Sequence, residues 1–236
     1  MDLNFFKKIR ILDGGMGQQL LANGLVSKGT LWSTSAILDK KFHRLVIDVH
    51  LSFINSGADV IVTNTFSSRK FRLIQNKVDK HFSYVNEKAC LLSVKAKEIS
   101  KSKVLIAGSL PGQRDTYVED KRQFKNIEKD FYDQAKIIGP YVDFFYLDVI
   151  SSGREIDCAS NVAAKLNKPV LVGAHLKKNG LLPSGESLSY VLKKYRNKNW
   201  IGLIGACVSP EIAKNCSSEI SKLDIPFGFK INLWKV

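Results

Sequence analysis

The sequence predicts an α/β fold of the (β/α)8 barrel type, on three observations. Apolar, β-branched segments recur along the chain, each followed by a longer helical stretch, the alternation that builds parallel strands covered by helices. These segments are nearly unbroken apolar runs, as expected of strands buried on both faces. Small and polar residues close most of them. A barrel gathers the C-terminal ends of all its strands around one site, whereas a doubly wound sheet uses mainly the crevice where its strand order reverses. Seven such segments are recognisable and the barrel has eight strands, so the eighth is read as missing.

The strands are placed in RILDGG (10–15), DVIVTNTF (59–66), KVLIAGSL (103–110), VDFFYLDV (142–149), KPVLVGAHL (168–176), WIGLIGACV (200–208) and IPFGFKINLW (225–234). The stretches between them read as helices. In LDKKFHRLVIDVHLSFINSG, Asp39 is the expected N-cap, and Phe42, Leu45, Val46, Val49, Phe53 and Ile54 form the apolar stripe. Gly57 is the expected stop. YVNEKACLLSVKAKEIS and EKDFYDQAKIIG follow the same pattern.

The 236 residues are 44% hydrophobic and 25% charged, an ordinary globular balance that needs no disulfide staples at this length. No composition shift or Pro/Gly/Ser linker marks a boundary, so residues 1–236 are read as a single domain. No apolar run reaches the roughly 18 residues of a membrane span. The opening MDLNFFKKIR lacks a secretory apolar stretch, and Asp2 argues against a matrix-targeting signal. The chain is therefore read as cytoplasmic. Its four cysteines, Cys90, Cys158, Cys207 and Cys216, show no C-x-x-C spacing and are expected as thiols. The net charge of +14 comes from lysines spread in ones and twos, without interleaved aromatics. That is the pattern of solvated helix faces, and no nucleic-acid partner is expected.

The candidate site residues stand at the strand ends. Asp13-Gly14-Gly15-x-Gly17 lacks both the GxGxxG spacing and the Walker lysine. Its glycines admit close approach of a ligand to backbone N–H groups, with Asp13 as an acceptor for an ammonium or hydroxyl. The alternative is a tight turn with Asp13 capping the next helix. Asn64 and Thr65 offer hydrogen-bonding groups at the mouth, or belong to a satisfied layer or cap. Asp148 is a candidate for binding a substrate amine, or caps the helix starting near Ser151. Cys207 in IGACVSP is a candidate nucleophile or metal ligand, or a buried structural thiol. His175 is placed similarly, and His50 reads as a packing or capping residue. In PGQRDTYVEDKRQF (111–124), Arg114, Tyr117 and Arg122 are in reach of the mouth, and the preferred reading is a solvated loop.

Taken together, ILDGGMG, VIDVHLSFINSGADVIVTNTF, VLIAGSLPG, VDFFYLDV and IGACVSP resemble, in order, the homocysteine S-methyltransferase family. This is a zinc-dependent (β/α)8 barrel family that includes betaine- and S-methylmethionine-dependent members and the homocysteine domain of methionine synthase. The resemblance implies methyl transfer from a small donor to homocysteine, giving methionine, with zinc held by three cysteine thiolates and the homocysteine thiol as fourth ligand. Only a thiolate is nucleophilic, and zinc coordination supplies one at neutral pH. It also implies that Asp13, Gly14 and Gly15 meet the amino-acid end of homocysteine; Asn64 and Thr65, from their place at the mouth, are read as further substrate-binding candidates. Asp148 stands where the family has a glutamate for the substrate amine, and Val149 follows where a Thr or Tyr is usual. Cys207 matches the first zinc cysteine, with Ala206 in place of an asparagine. The family's adjacent cysteine pair on strand eight has no counterpart here, so Cys207 is the one recognisable zinc ligand. A second reading follows from these departures: a non-catalytic member that binds a small amino-acid-like ligand without zinc. No membrane partner is expected, and association between copies is left open.

Overall fold

A computed structural model describes residues 4–233. Its main elements are α1 (Met16–Ala22), α2 (Ser35–Leu38), α3 (His43–Asn55), β1 (Val60–Val62), α4 (Lys70–Gln75), α5 (Phe82–Ser100), β2 (Leu105–Pro111), α6 (Phe124–Ile138), β3 (Phe144–Ile150), α7 (Gly153–Lys165), β4 (Val170–Ala174), α8 (Leu188–Tyr195), β5 (Trp200–Val208), α9 (Pro210–Ile220) and β6 (Phe227–Ile231). The chain divides into two compact units. The first comprises residues 9–110 and 133–144, and the second residues 1–8, 111–132 and 145–236.

In the first unit β1 pairs in parallel with β2, from Val60 opposite Leu105 to Val62 opposite Ala107. The predicted first strand is reduced to a single bridge from Leu12 to Val60, because Gly14 and Gly15 follow at once and α1 begins at Met16. The α3 stripe is as expected. Val46, Val49 and Ile54 are buried, and Phe42, Leu45 and Phe53 pack partly buried against the core. Asp39 caps a short 3₁₀ turn, accepting from the Lys41 N–H, and α3 starts just after it. Gly57 ends the segment with a positive φ of 97°, the left-handed stop that glycine adopts at low cost.

In the second unit β3, β4, β5 and β6 pair in parallel and in sequence order. No reversal of order, and hence no switch point of the doubly wound kind, occurs among them. All of β3 and β4 is buried, and β6 is partly exposed. Trp234, in the last predicted strand, lies outside the described residues. Serines cap three helices here: Ser152 before α7, Ser187 before α8 and Ser209 before α9 each accept a backbone N–H. The register slips between Leu147 and Ile150 on β3 and between Ala206 and Val208 on β5. Within these slips, Val149 and Cys207 have positive φ of 63° and 55°. Bulges of this kind re-aim side chains and gather at functional sites.

One glycine in this sheet is required by close approach. A Cβ on Gly173 would stand 2.5 Å from the Leu147 carbonyl oxygen and 2.6 Å from the Tyr146 ring. The neighbouring backbone cannot yield cheaply. Gly173→Ala is expected to destabilise the chain by about 1–3 kcal/mol, as overpacked cores do. A lowered urea midpoint at unchanged slope would check it, and an unchanged midpoint would contradict it.

Candidate functional site

Cys207 stands at the C-terminal end of β5, on the strained residue of the slip. Two groups approach its sulfur. The Tyr117 hydroxyl lies 3.0 Å away, and the Asn232 amide Nδ2–H donates from 3.1 Å. His175, just past β4, lies against the same tyrosine, with ring centroids 4.4 Å apart and tilted by 51°. Its Nδ1 is 3.3 Å from the Ala206 carbonyl oxygen. Burial holds the imidazole below its ordinary pKa, against the opposing effect of the Ala206 and Cys207 backbone contacts. Burial pushes the Tyr117 phenol up, and so do its hydrogen bond to Cys207 and the nearby Cys207 and Asp148 charges. Tyr117 therefore keeps its proton. The strand-end groups Asp148, His175, Cys207 and Asn232 thus belong to the C-terminal ends of β3 to β6, where such folds carry their chemistry.

Asp148 is buried in β3. It does not cap α7, because Ser152 fills that place and accepts from the Glu155 N–H. Lys230 on β6, half-buried, holds its ammonium 5.5 Å from the centroid of the Tyr146 ring, a cation–π contact.

The segment after β2 is more ordered than the solvated loop expected. Asp120 is buried, and its carboxylate accepts from the Arg122 backbone N–H, Nε and Nη2. Arg122 Nη1 reaches on to Asp130 of α6 at 2.8 Å. The Asp120 N–H donates to Glu155 of α7 at 3.4 Å. Arg122 is thus a structural clamp, not a mouth residue free to meet a donor. Sequence reasoning missed Asn232 as a neighbour of the thiol and Glu155 as an anchor. For Glu155 the Ser152-x-x-Glu155 capping-box spacing was the available signal.

The remaining candidates lie in the first unit. The Asp13 carboxylate is buried and accepts from the Val62 N–H at 2.7 Å. It does not cap α1, whose N-cap is Gly15. Thr65 Oγ1 donates to the Ser109 carbonyl at 2.8 Å and lies 2.8 Å from Thr63 Oγ1. Asn64 Nδ2 donates to the Ser33 carbonyl at 3.1 Å. Asn64 and Thr65 are fully inside, within a hydrogen-bonded layer. The glycines of the opening motif have packing partners of their own. A Cβ on Gly14 would lie 2.7 Å from the Phe53 ring, and one on Gly17 would run into the Trp32 indole. Gly15 meets nothing closer than the Gln18 side chain at 3.7 Å.

A catalytic zinc needs three protein ligands and an open position. Among the described residues no group of three or more His, Cys, Asp or Glu is placed to hold a metal ion. Cys90, Cys158 and Cys216 are buried on α5, α7 and α9. Burial is the main cause pushing all three thiols up, Cys158 to about 12. These residues do not complete a three-thiolate site around Cys207.

Comparison with known proteins agrees with the architecture. The metallated form of the Escherichia coli homocysteine methyltransferase MmuM superposes with a TM-score of 0.81 at 18% identity, covering 97% of this chain and 85% of that one. The fold is therefore of the (β/α)8 type shared with that enzyme. The chain is 23% identical over 222 residues to homocysteine S-methyltransferase 2 of Saccharomyces cerevisiae, covering 81% of this chain and 66% of that protein. It is 23% identical over 241 residues to homocysteine S-methyltransferase 1 of Arabidopsis thaliana, covering 90% and 72%. The chain thus spans roughly two thirds of the length of these relatives. The family model for homocysteine S-methyltransferase matches residues 10–233, and with nearly every described residue inside that match, the chain belongs to the homocysteine S-methyltransferase family.

Proposed function

We propose that this chain binds homocysteine and serves its S-methylation to methionine in the cytoplasm. The observation that carries the reading is the family match over residues 10–233. In the reaction the homocysteine sulfur forms a bond to the donor's methyl carbon. The bond from that carbon to the donor breaks, its electron pair leaves with the donor, and the thiol proton passes to solvent. Asp148 is assigned to the substrate ammonium, an ion pair that becomes stronger out of water. Asp13, Gly14, Gly15, Asn64 and Thr65 are kept as substrate-binding candidates of the first unit, where Asn64 and Thr65 donate to the Ser33 and Ser109 carbonyls. Cys207 is assigned as a thiolate ligand of the zinc expected from the family. The described residues offer no three-ligand cluster to hold that metal. The same observation favours a second reading, a binder of homocysteine-like amino acids that does not catalyse.

The test uses isotope-labelled homocysteine with S-methylmethionine as donor, the substrate pair in the name of a rat relative that is 29% identical over 163 residues. Labelled methionine is the expected product. Asp148→Asn is expected to raise the KM for homocysteine about tenfold, the loss of about 1.4 kcal/mol of binding. Calorimetric binding of homocysteine without product formation would move the chain to the second reading. Absence of both binding and product would overturn the proposal.

A further inference from the structure

We propose that Tyr117 is a positioning residue for the Cys207 thiol, held on it by residues 111–123 acting as a strap pinned at both ends. The inference rests on the reading of Cys207 as the functional thiol. Ninety positions separate the two residues in sequence, yet the hydroxyl stands 3.0 Å from the sulfur. Tyr117 reaches that place with a φ of 66°. A non-glycine residue in this region is strained and persists where the surroundings over-determine it. Here they do. At the near end of the strap, Gln113 is buried and donates to the Pro111 carbonyl at 2.8 Å. Gly112 passes so close to α7 that a Cβ on it would stand 3.1 Å from Glu155 Oε1. At the far end, Asp120 is gripped by Arg122 and tied to Glu155, while Arg122 is tied to Asp130. Between these pins the tyrosine ring is backed by His175 at 4.4 Å.

The sulfur therefore has two hydrogen-bonding neighbours, the Tyr117 hydroxyl and the Asn232 amide donor. The sulfur accepts from the Asn232 N–H, and its hydrogen bond with the Tyr117 hydroxyl is the second contact that fixes its direction. Cys207 sits on a bulged residue of β5, where the backbone alone would leave the side chain less constrained. Arg122 touches neither the thiol nor its two neighbours in any described contact, and its effect on the thiol runs through Tyr117.

Alkylation of Cys207 by iodoacetamide at fixed pH tests this on the intact chain, read from the mass of the Cys207 peptide. The buried Cys90, Cys158 and Cys216 report any loss of fold in the same sample. Tyr117→Phe keeps the ring and removes one hydrogen bond, so the alkylation rate of Cys207 is expected to change about fivefold, the equivalent of one net hydrogen bond. The Raman S–H band assigned to Cys207 by difference against Cys207→Ser is expected to shift in the same variant. Arg122→Ala is expected to change the rate in the same direction as Tyr117→Phe in the parent and to add nothing in a Tyr117→Ala background, the signature of a residue acting through another. An unchanged rate and S–H band in Tyr117→Phe would overturn the proposal. So would an Arg122→Ala effect that persists in full without Tyr117. None of these measurements needs methyl transfer, so failure of the homocysteine reading would leave the alkylation result standing and would show separately.

Discussion

Lowering the pH from 6.5 towards 3 is expected to remove about 5 kcal/mol of stability through one residue, His50. His50 lies on α3, fully buried, and burial lowers its pKa from 6.5 to about 3. Its Nε2 is 3.1 Å from the Ser93 hydroxyl on α5, which itself donates to the Ala89 carbonyl at 3.0 Å. With that hydroxyl committed, the ring donates through Nε2–H, and Nδ1 carries a lone pair with no partner among the described residues. Protonating Nδ1 would place a charge between two helices without an acceptor, a costly state in an apolar interior. The sign follows from the depressed pKa. The unfolded chain takes up the proton first, so the contribution is complete above pH 6.5 and is lost as pH falls through about 3. His50→Leu removes the titrating group and leaves Ser93 bonded to Ala89. The urea midpoint of the parent is expected to fall relative to that of the variant between pH 7 and pH 4, because only the parent loses this contribution. Parallel pH profiles would contradict the assignment.

Glu155 is expected to act in the opposite sense, with about 3 kcal/mol lost as pH rises from 4.5 to 7. Burial raises its pKa from 4.5 to about 7, more than the hydrogen bonds from Ser152 and the Asp120 backbone lower it, and the charges of Asp120 and Glu119 raise it further. The folded chain holds the proton more tightly, so this contribution is complete below pH 4.5 and is lost as pH rises through about 7. Gln at this position keeps an acceptor for the Ser152 hydroxyl, which donates to Glu155 Oε2 at 2.7 Å. Glu155→Gln is expected to remain as stable at pH 8 as at pH 5.5 apart from the other titrating groups, whereas the parent declines. The difference between the two profiles isolates the residue. Identical profiles would show that Glu155 does not carry the proton. Because Glu155 also anchors Asp120, the same variant reports whether the strap depends on its charge: the Cys207 alkylation rate is expected to stay near the parent value if the amide serves equally well.

The alternation of strand and helix was legible because it is local. Unbroken apolar runs such as VDFFYLDV and the α3 stripe from Phe42 to Ile54 announce burial through the spacing of near neighbours, and the strands fall where those runs are. The first strand was overestimated because Gly14 and Gly15 cut its pairing to Leu12 alone. The capping alternatives for Asp13 and Asp148 were undecidable from spacing, since Gly15 and Ser152 stand equally close to the helices they cap.

By itself the sequence determined the fold class, the order of the elements and the placing of Asp148 and Cys207 at strand ends. Each of these depends on patterns within one segment. Tertiary structure alone decided what those ends touch. Gly14 and Gly17 make room for Phe53 and Trp32. Tyr117, drawn from an apparently solvated loop, meets a sulfur ninety positions away, and Asn232 donates to the same sulfur. A hydrogen bond between distant segments leaves no periodicity in either one. It exists only once packing has set the distance between them, and that distance is a property of the folded sheet, not of any stretch of residues.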